Sequence, residues 1–522
     1  MTTPNEQDIN RSFLYTDMYE LTMAQVYYRM GIHEQQAQFD HFFRSYPDYG
    51  IHHAGYCVNA GLEWFMNWLS NVQIQKHELD YLRQQKGRTG VPLFQDDFLE
   101  WLSKNFCFDN LTIYAVPEGR VVHPNTPLTV VTGSLAIAQL LETSLLNHLN
   151  FQTLIATKAS RIKEAGRGNT VLEFGMRRAQ YTGGNAGARA ALIGGVDFTS
   201  NTGMSYLMGY PPKGTHAHSM VQAFMAMGGT ELDAFRAYAE VFPDECLLLI
   251  DTIDSLESGL PNAITVFDEL RRKGHTPVGV RLDSGDLAYL SVRVARKLND
   301  AGYPNAQIVL SNELDEIVLW QILTQIQEEA PELDLEPDDV IKRLVYGVGT
   351  RLITSHGDSA LDGVYKLVAI QKDGKWKPAL KISENPVKIP NPGQKEVWRV
   401  YDKRGKAYAD LIGLREEDPR NQEVITLHHP TQHEVYHQLK RSEVSRCEPL
   451  LEEVMKNGHI TYKPVSIETI RERRKEDLSR LDLGVKRILN PHIYHVSLTP
   501  RLFRLKQELI KRWETNGEET ID

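Results

Sequence analysis

Cysteine is scarce in this chain, and its few cysteines are far apart in sequence. The 522 residues include Cys57, Cys107, Cys246 and Cys447, and these separations exclude a CxxC metal or redox motif. Such sparse use in a long chain is typical of a reducing compartment. The start of the sequence, MTTPNEQDINRS, also lacks the charged and apolar regions of a signal peptide. We therefore expect a cytoplasmic protein.

An excess of basic residues and a long apolar run are also missing. The formal net charge is -10 at pH 7, whereas a general nucleic-acid-binding protein needs a basic surface to neutralise phosphates. No apolar segment approaches the roughly 20 residues that cross a bilayer. We expect neither nucleic acid nor a membrane as partner. The length predicts two or three globular domains, because single cores stop growing at roughly 250–300 residues.

The middle of the chain, from about residue 170 to about residue 355, alternates apolar runs with helical patterns. This alternation indicates a parallel sheet covered by helices. The runs end in polar or glycine-rich tips at Asp251, Asp283, Asn312 and Gly349, which are 32, 29 and 37 residues apart. Each interval is the length of one βα unit. The pattern predicts a parallel α/β barrel whose site lies at the carboxyl ends of its strands.

The strand tips combine carboxylates, hydroxyl groups, arginines and glycines. Carboxylates alone suggest a metal or a sugar, whereas this mixture suggests a ligand with both phosphate and hydroxyl groups. Ordinary caps and turns would explain any one tip, but they explain the set poorly. A phosphorylated sugar fits the mixture. The candidate residues are Arg177, Arg178, Asp251, Thr252, Arg281, Asp283, Ser284, Gly285, Asp286, Ser311, Gly347, Gly349 and Thr350.

Two histidines, His216 and His218, stand in the small polar segment PKGTHAHSM. They follow a Gly-Thr turn at the predicted start of a helix. A helix start collects unpaired backbone N–H groups and attracts anions, so an anionic substrate or a phosphorylated side chain would fit there. The alternative is that both are solvent-exposed loop histidines.

The segment HEVYH, residues 433–437, matches the HExxH motif of zinc peptidases. That chemistry needs His433 and His437 on one helical face, with Glu434 as general base. The alternation in EVYHQL instead predicts a strand, on which residues i and i+4 lie about 13 Å apart. A zinc peptidase is therefore a distant alternative.

The chain contains, in this order, the segments TDMYELTMAQ, LEFGMRRAQ, GGVDFTSNT, GTHAHS, DTIDSLESGLPNAI, GVRLDSGDLAYLS, VLSNELDE, YGVGTRLITS and VYKLV. This ordered set resembles the nicotinate phosphoribosyltransferase family. The resemblance implies an irregular parallel α/β barrel of residues 151–365. It also implies a discontinuous α/β sandwich domain built from residues 1–150 and 366–522, the latter with a C-terminal helical extension.

The resemblance implies formation of nicotinate mononucleotide and diphosphate from nicotinate and 5-phosphoribosyl 1-diphosphate. In this family the reaction is coupled to ATP hydrolysis through a phosphohistidine, which would be His218. His216 falls at a variable position of the family's GTxAH turn. The resemblance further implies Mg²⁺ as cofactor, ATP as co-substrate and a homodimer with a shared active site.

The family's roles fall on residues of several strand tips. Asp251 would accept a hydrogen bond from His218, while Asp283 and Asp286 would face the ribose and Mg²⁺. Phosphate would be held by Arg281 and by the backbone of Gly349 and Thr350. Phe174 would stack on the pyridine ring, and Tyr19 would do so from a second subunit. Arg177 or Arg178 would bind the nicotinate carboxylate. The remaining pocket residues would be Ser200, Thr215, Ser284, Gly285, Ser311, Asn312 and Gly347.

The main alternative is the related nicotinamide-specific transferase. That family carries an aspartate near the position of Ser200, where it can accept from a carboxamide N–H. A carboxylate there would repel nicotinate, so its absence favours the acid. Asp197 is only three residues earlier, which leaves the alternative open. A sugar-phosphate sensor that binds without turnover is a further alternative.

Overall fold

The computed structural model describes residues 6–384, 388–432 and 434–518. The chain divides into two compact units, of which the first contains residues up to 154 and from 360 onward. The second unit is residues 155–359. Within the described residues, no helix is both long and apolar enough to cross a membrane.

The N-terminal part of the chain is mainly helical around three longer strands. Its helices are α1 (Glu6–Ile9), α2 (Met18–Arg29), α3 (Leu62–Asn71), α4 (Lys76–Arg83), α5 (Asp96–Asn105), α6 (Leu135–Gln139) and α7 (Glu142–Ala165). Its strands are β1 (Gln36–Phe43), β2 (Cys57–Val58), β3 (Thr112–Ala115), β4 (Val121–Val122) and β5 (Thr129–Ser134).

The second unit alternates short strands with helices. Its strands are β6 (Val171–Glu173), β7 (Phe198–Thr199), β8 (Leu247–Leu249), β9 (Gly279–Leu282), β10 (Gln307–Ser311) and β11 (Leu344–Val348). Its helices after α7 are α8 (Tyr181–Ile193), α9 (Thr202–Met208), α10 (His218–Ala226), α11 (Glu231–Val241), α12 (Leu260–Arg272), α13 (Leu287–Asp300), α14 (Glu316–Glu329), α15 (Pro337–Lys342) and α16 (Thr350–Ile353).

The C-terminal part returns to the first unit and is mainly β. Its strands are β12 (Gly363–Lys372), β13 (Lys375–Pro378), β14 (Lys395–Asp402), β15 (Ala407–Leu414), β16 (Val424–His428), β17 (Tyr436–Lys440), β18 (Val444–Pro449), β19 (Glu452–Lys456), β20 (His459–Ile460) and β21 (His495–Leu498). Its helices are α17 (Ile467–Arg480) and α18 (Pro500–Glu518).

The first unit joins its two chain segments through its sheets. An antiparallel sheet has the order β13-β12-β1-β5-β3-β19-β20, so β1 lies between β12 and β5. A second sheet has the order β17-β16-β21-β15-β14-β18. The core beside the first sheet contains Phe39 from β1, Phe65 and Phe98 from helices, and Val131 from β5, all at most 3% exposed. Apolar burial therefore connects elements that are far apart in sequence.

The second unit is built on one parallel sheet in the order β7-β6-β11-β10-β9-β8. All neighbouring strands run parallel, so their carboxyl ends lie along one edge. The strands are short apolar runs because both faces of such a sheet are buried. Helices α12 and α13 each bury one apolar stripe, which includes Phe267 and Val292. The α/β fold and parallel sheet predicted from the sequence are confirmed.

Candidate active site

The strand register of the second unit brings the predicted tips together. Arg281 of β9 pairs with Leu249 of β8 on one side and with Val309 of β10 on the other. Ser311, the last residue of β10, is opposite Gly347 of β11. Adjacent parallel strands thus place their terminal side chains along one edge, where enzymes of this architecture build their sites.

Asp251 links two of these tips. One carboxylate oxygen, Oδ2, accepts hydrogen bonds from the backbone N–H of Asp283 at 3.1 Å and from the hydroxyl of Ser284 at 2.5 Å. The other oxygen, Oδ1, is buried and lies 3.7 Å from Nε2 of His218. The Asp251 side chain is only 2% exposed, so this oxygen presents a negative charge to the imidazole without competition from bulk water.

His218 is the first residue of α10, and its ring is held between two groups. Its Nδ1 is hydrogen-bonded to the hydroxyl of Thr252 at 3.0 Å, while Nε2 faces Asp251. The 3.7 Å distance to Asp251 is longer than a hydrogen bond. In this structure Thr252, and not the predicted Asp251, therefore bonds the ring directly. The side chain remains 37% exposed, which leaves it accessible to a ligand.

His216 has a different environment. Its Nε2 accepts a hydrogen bond from the backbone N–H of Leu249 at 3.1 Å, and its ring lies against Tyr238 and Phe235. Burial lowers the pKa of His216 to about 4, so the ring is neutral at pH 7. The histidine pair in the sequence therefore separates into one structural histidine that holds β8 and one accessible histidine, His218.

A polar triangle forms beside Asp251. Arg281 donates from Nη2 to Asp283 Oδ1 at 3.0 Å and from Nε to the hydroxyl of Ser311 at 3.0 Å. Ser311 in turn donates to Asp283. The next residue, Asn312, has a backbone φ of 96°, a conformation that non-glycine residues adopt mainly where surrounding structure enforces it. The triangle presents a guanidinium and a carboxylate together, as a ligand with phosphate and hydroxyl groups requires.

Phe174 forms an aromatic wall at the same edge. A Cβ on Gly347 would lie 2.6 Å from its ring carbon Cε2, so only glycine lets the ring lie this close to β11. The guanidinium carbon of Arg281 is 5.4 Å from the ring centroid. A half-buried ring beside a guanidinium can stack on a flat ligand. Arg177 and Arg178 follow in an exposed 3₁₀ turn, Met176–Arg178.

Glu173 supports this wall and was not among the residues predicted from the sequence. It is fully buried, its carboxylate accepts from the hydroxyl of Thr199 at 2.6 Å, and it also accepts from the backbone N–H of Gly175. Its backbone carbonyl accepts from the N–H of Ser200 at 2.9 Å. Burial raises the pKa of Glu173. An acid at the end of the apolar run VLE was the available signal.

Two other predicted residues, Gly285 and Asp286, have structural roles in the turn before α13. Asp286 caps α13 by accepting from the backbone N–H of Ala288 and Tyr289, and it also accepts from the Gln325 amide. Gly285, just before it, has a φ of 79°, which favours glycine in that turn.

The remaining predicted residues lie in three different places. The Thr215 hydroxyl donates to the carbonyl of His216 at 3.3 Å. Gly349 and Thr350 connect β11 to α16. Tyr19 is on α2 of the first unit and is 44% exposed. The roles predicted for these residues, and for Asp286 and Gly285, stay predictions.

The carboxylate that kept the nicotinamide alternative open, Asp197, lies at the other end of the strand from Ser200. It accepts from the backbone N–H of Val171, the first residue of β6, at 2.9 Å and pairs with Lys163 at 2.7 Å. The N–H of Ser200 instead bonds the carbonyl of Glu173, the last residue of β6. Asp197 therefore does not take the place of Ser200 at the carboxyl edge.

The described residues include no group of three or more His, Cys, Asp or Glu side chains that could hold a metal ion. Mg²⁺ often binds through one or two carboxylates together with substrate phosphates. The hydrogen bonds from Arg281 and Ser311 to Asp283 both go to Oδ1, so its other carboxylate oxygen, Oδ2, receives neither of them. Asp283 therefore fits that mode of Mg²⁺ binding. His437 of the zinc motif lies on strand β17 as predicted, and His433 lies outside the described residues.

The fold and this edge together define an α/β protein whose site places carboxylates, a guanidinium and hydroxyl groups beside an imidazole. Comparison with known proteins identifies the family. The N-terminal domain model of nicotinate phosphoribosyltransferase (NAPRTase) matches residues 14–150, and the nicotinate phosphoribosyltransferase C-terminal domain matches residues 394–506. The chain belongs to the nicotinate phosphoribosyltransferase family, which is a family of enzymes.

Similarity to individual relatives extends over nearly the whole chain. Nicotinate phosphoribosyltransferase of Bacillus subtilis (strain 168) is 38% identical, over 98% of this chain and 97% of its own length. The Caenorhabditis elegans enzyme of the same name is 33% identical, over 97% and 94%. The crystal structure of human nicotinic acid phosphoribosyltransferase superposes with a TM-score of 0.78 at 28% identity, over 95% of this chain and 99% of that one.

Proposed function

We propose that this enzyme forms nicotinate mononucleotide and diphosphate from nicotinate and 5-phosphoribosyl 1-diphosphate, in NAD biosynthesis. The observation that carries the proposal is the position of His218, between Thr252 and Asp251, beside the Arg281–Asp283–Ser311 triangle. The names of the relatives give the substrate, and this geometry supplies groups for each part of the reaction.

In the transfer step the pyridine nitrogen attacks the anomeric carbon of the ribose while the bond to diphosphate breaks. The nitrogen has no proton to lose, so no general base is needed. Phe174 would align the ring, Asp283 would face the ribose hydroxyls, and Arg281 would stabilise the negative charge on the departing diphosphate. Mg²⁺, bound mainly by phosphate oxygens, would supply further positive charge to that leaving group.

ATP coupling through His218 is the second part of the proposal. A proton on Nε2 is favoured by the buried oxygen of Asp251, which leaves the lone pair on Nδ1 to accept from the Thr252 hydroxyl. Once the Thr252 hydroxyl turns away, that lone pair can attack the γ-phosphorus of ATP, the bond to the bridging oxygen breaks, and ADP leaves with the electron pair. A phosphohistidine here adds charge near Asp283 and Arg281, and so changes the affinity of the site for diphosphate.

The test is nicotinate mononucleotide formation measured with and without ATP. In the His218→Ala variant we expect ATPase activity and ATP stimulation to be lost, while slow ATP-independent transfer remains. His275→Ala, a partly exposed histidine paired with Asp244 in the same unit, is the matched control and should behave as wild type. ATP stimulation of normal size in His218→Ala would contradict the coupling role.

The same assay with nicotinamide decides the alternative substrate. Ser200 offers no carboxylate to a carboxamide, and Asp197 is engaged at the opposite strand end. We therefore expect a kcat/KM that favours nicotinate. A preference for nicotinamide would instead support the related transferase.

We also propose a homodimer with a shared site, in which Tyr19 of α2 completes the aromatic stack from the second subunit. The exposed ring of Tyr19 supports this, because an aromatic side chain 44% exposed in one chain is available to a partner. We place the enzyme in the cytoplasm, and the absence of a disulfide among its four cysteines supports a reducing compartment.

A further inference from the structure

The turn that follows β10 has a strained backbone. Asn312 and Glu313 have φ values of 96° and 50°. Both values lie in the left-handed region, which favours glycine, and such a conformation persists only where surrounding contacts hold it. Ser311, directly before the turn, belongs to the polar triangle of the proposed active site. The contacts that hold this turn therefore affect the site.

Arg351 holds the turn from the neighbouring strand tip. It is the second residue of α16, which follows β11. Its Nε donates to Glu313 Oε2 at 3.0 Å, and its Nη1 donates to Asp315 Oδ2 at 2.7 Å. The side chain of Arg351 is 26% exposed and that of Asp315 is 7% exposed, so solvent screens the second contact only weakly. One guanidinium thus joins the tips of β10 and β11.

Asp315 is a fixed point for this contact. Its Oδ1 caps α14 by accepting from two backbone N–H groups of the first turn, at 3.0 and 2.9 Å. The next residue, Glu316, is fully buried and pairs with Lys158 at 2.8 Å and with Arg161 at 3.0 Å, both on α7. The start of α14 is therefore tied to α7, and the bond to Asp315 ties Arg351 to the same support.

Arg351 directly follows the segment expected to hold phosphate. Gly349 and Thr350 connect β11 to α16, and their backbone is expected to bind a phosphate group of the substrate. Backbone donors bind best when their positions are fixed before the ligand arrives. Because Arg351 is bonded covalently to Thr350, its contacts with Glu313 and Asp315 restrict the movement of this segment.

We propose that Arg351 is a positioning residue for phosphate binding. It orients the backbone of Gly349 and Thr350 through its bonds to Glu313 and Asp315, and it does not bind the ligand itself. The charge of the guanidinium is already compensated by two carboxylates, so it is not available to a phosphate. This inference rests on the proposed function, which supplies the ligand, 5-phosphoribosyl 1-diphosphate.

The test compares binding with kinetics in the full-length protein. Calorimetry gives the Kd for 5-phosphoribosyl 1-diphosphate with Mg²⁺, and steady-state kinetics give the KM of both substrates. In Arg351→Leu we expect this Kd and the corresponding KM to rise about tenfold, while the KM for nicotinate changes by less than about twofold. Arg351→Lys keeps the charge but not the forked geometry, and should restore about half of the loss on a logarithmic scale.

Arg236→Leu is the matched control, because Arg236 also pairs with a carboxylate, Glu269, on the surface of the same unit. It should bind as wild type does. An unchanged Kd in Arg351→Leu would overturn the proposal. An equal rise in the KM for nicotinate would also overturn it, because that result indicates a general loss of structure.

Glu313→Gln tests whether Arg351 acts through its partners. The Glu313 side chain is 61% exposed, so the substitution should not impair folding. Weakening one of the two contacts should raise the Kd about threefold. If Arg351 instead bound phosphate directly, removing a competing carboxylate would leave the Kd unchanged or lower it, and the positioning role would be wrong. If wild type binds 5-phosphoribosyl 1-diphosphate but forms no nicotinate mononucleotide, the proposed function fails, whereas weaker binding by Arg351→Leu would still support this inference.

Discussion

The two nitrogens of His218 are held in unequal ways. A hydroxyl bonds Nδ1 at 3.0 Å, whereas a buried carboxylate oxygen faces Nε2 at 3.7 Å. The carboxylate selects which nitrogen carries the proton, and the hydroxyl selects the rotation of the ring. The Thr252 hydroxyl therefore occupies the lone pair that attacks ATP in the proposed phosphoryl transfer, and it has to turn away before the transfer.

Removing the Thr252 hydroxyl should speed phosphorylation of His218, because its hydrogen bond to the attacking nitrogen has to break before phosphoryl transfer. Thr252→Val preserves shape but loses a hydrogen bond worth about 0.5–1.5 kcal/mol, so we expect phosphoryl transfer to be roughly 2 to 13 times faster. Single-turnover transfer from labelled ATP to the protein measures this rate. Thr252→Ser should return the rate to near the wild-type value, and Thr265→Val, at an exposed site on α12, is the control. A wild-type rate in Thr252→Val would exclude Nδ1 as the attacking nitrogen held by Thr252.

At the scale of elements, the aromatic wall depends on the contact between β6 and β11. Phe174, directly after β6, donates its backbone N–H to Val348 of β11 at 2.8 Å. Its ring lies over Gly347, where a methyl group would come within 2.6 Å of it. Strand pairing and the missing side chain together fix the plane on which a pyridine ring would stack.

Gly347→Ala should displace the Phe174 ring. Overpacking at such contacts costs about 1–3 kcal/mol, and loss of ring alignment should raise the KM for nicotinate about tenfold. Steady-state kinetics with varied nicotinate test this. Gly184→Ala in α8, where an added Cβ meets only ordinary contacts of 3.6 Å or longer, should leave KM unchanged. If both variants keep the wild-type KM, Phe174 does not form the nicotinate wall.

The sequence was informative where signals are local. The apolar runs predicted the parallel strands, and their tips predicted Asp251, Arg281, Asp283 and Ser311 at one edge, because parallel register makes tip position a local property. The sequence shows Thr252 only as one hydroxyl among the strand tips, whereas its bond to His218 depends on how the chain before α10 folds back towards β8. No pattern in the sequence indicates the distance between Thr252 and His218.

At the scale of the whole molecule, the first unit is held together by pairs that sequence reading could not find. Arg120 from the N-terminal part donates to Asp477 of α17 at 2.8 Å, and Arg399 joins the same carboxylate at 3.1 Å. Their side chains are at most 10% exposed. Arg120 and Asp477 are more than 350 residues apart in sequence, and Arg399 and Asp477 are 78 residues apart. Only the folded structure brings these charged groups together.

A shared active site makes a prediction about mixed dimers. Tyr19→Ala should lower kcat/KM because it removes a stacking contact worth about 1–3 kcal/mol, and His218→Ala should lose ATP stimulation. When the two variants are dissociated and reassembled together, half of the dimers are mixed. Each mixed dimer then has one site with both changes and one site with neither.

Random reassembly should therefore restore ATP-stimulated synthesis to about a quarter of the wild-type level. The measurement is activity before and after mixing, with dimer formation followed by light scattering. In the control, Tyr81→Ala replaces Tyr19→Ala, because Tyr81 is another exposed tyrosine of the first unit. The Tyr81→Ala variant should be fully active alone. If Tyr19 instead served the site of its own chain, each site of the mixed dimer would carry one of the two changes. Mixing would then restore no activity beyond the summed activities of the two separate variants.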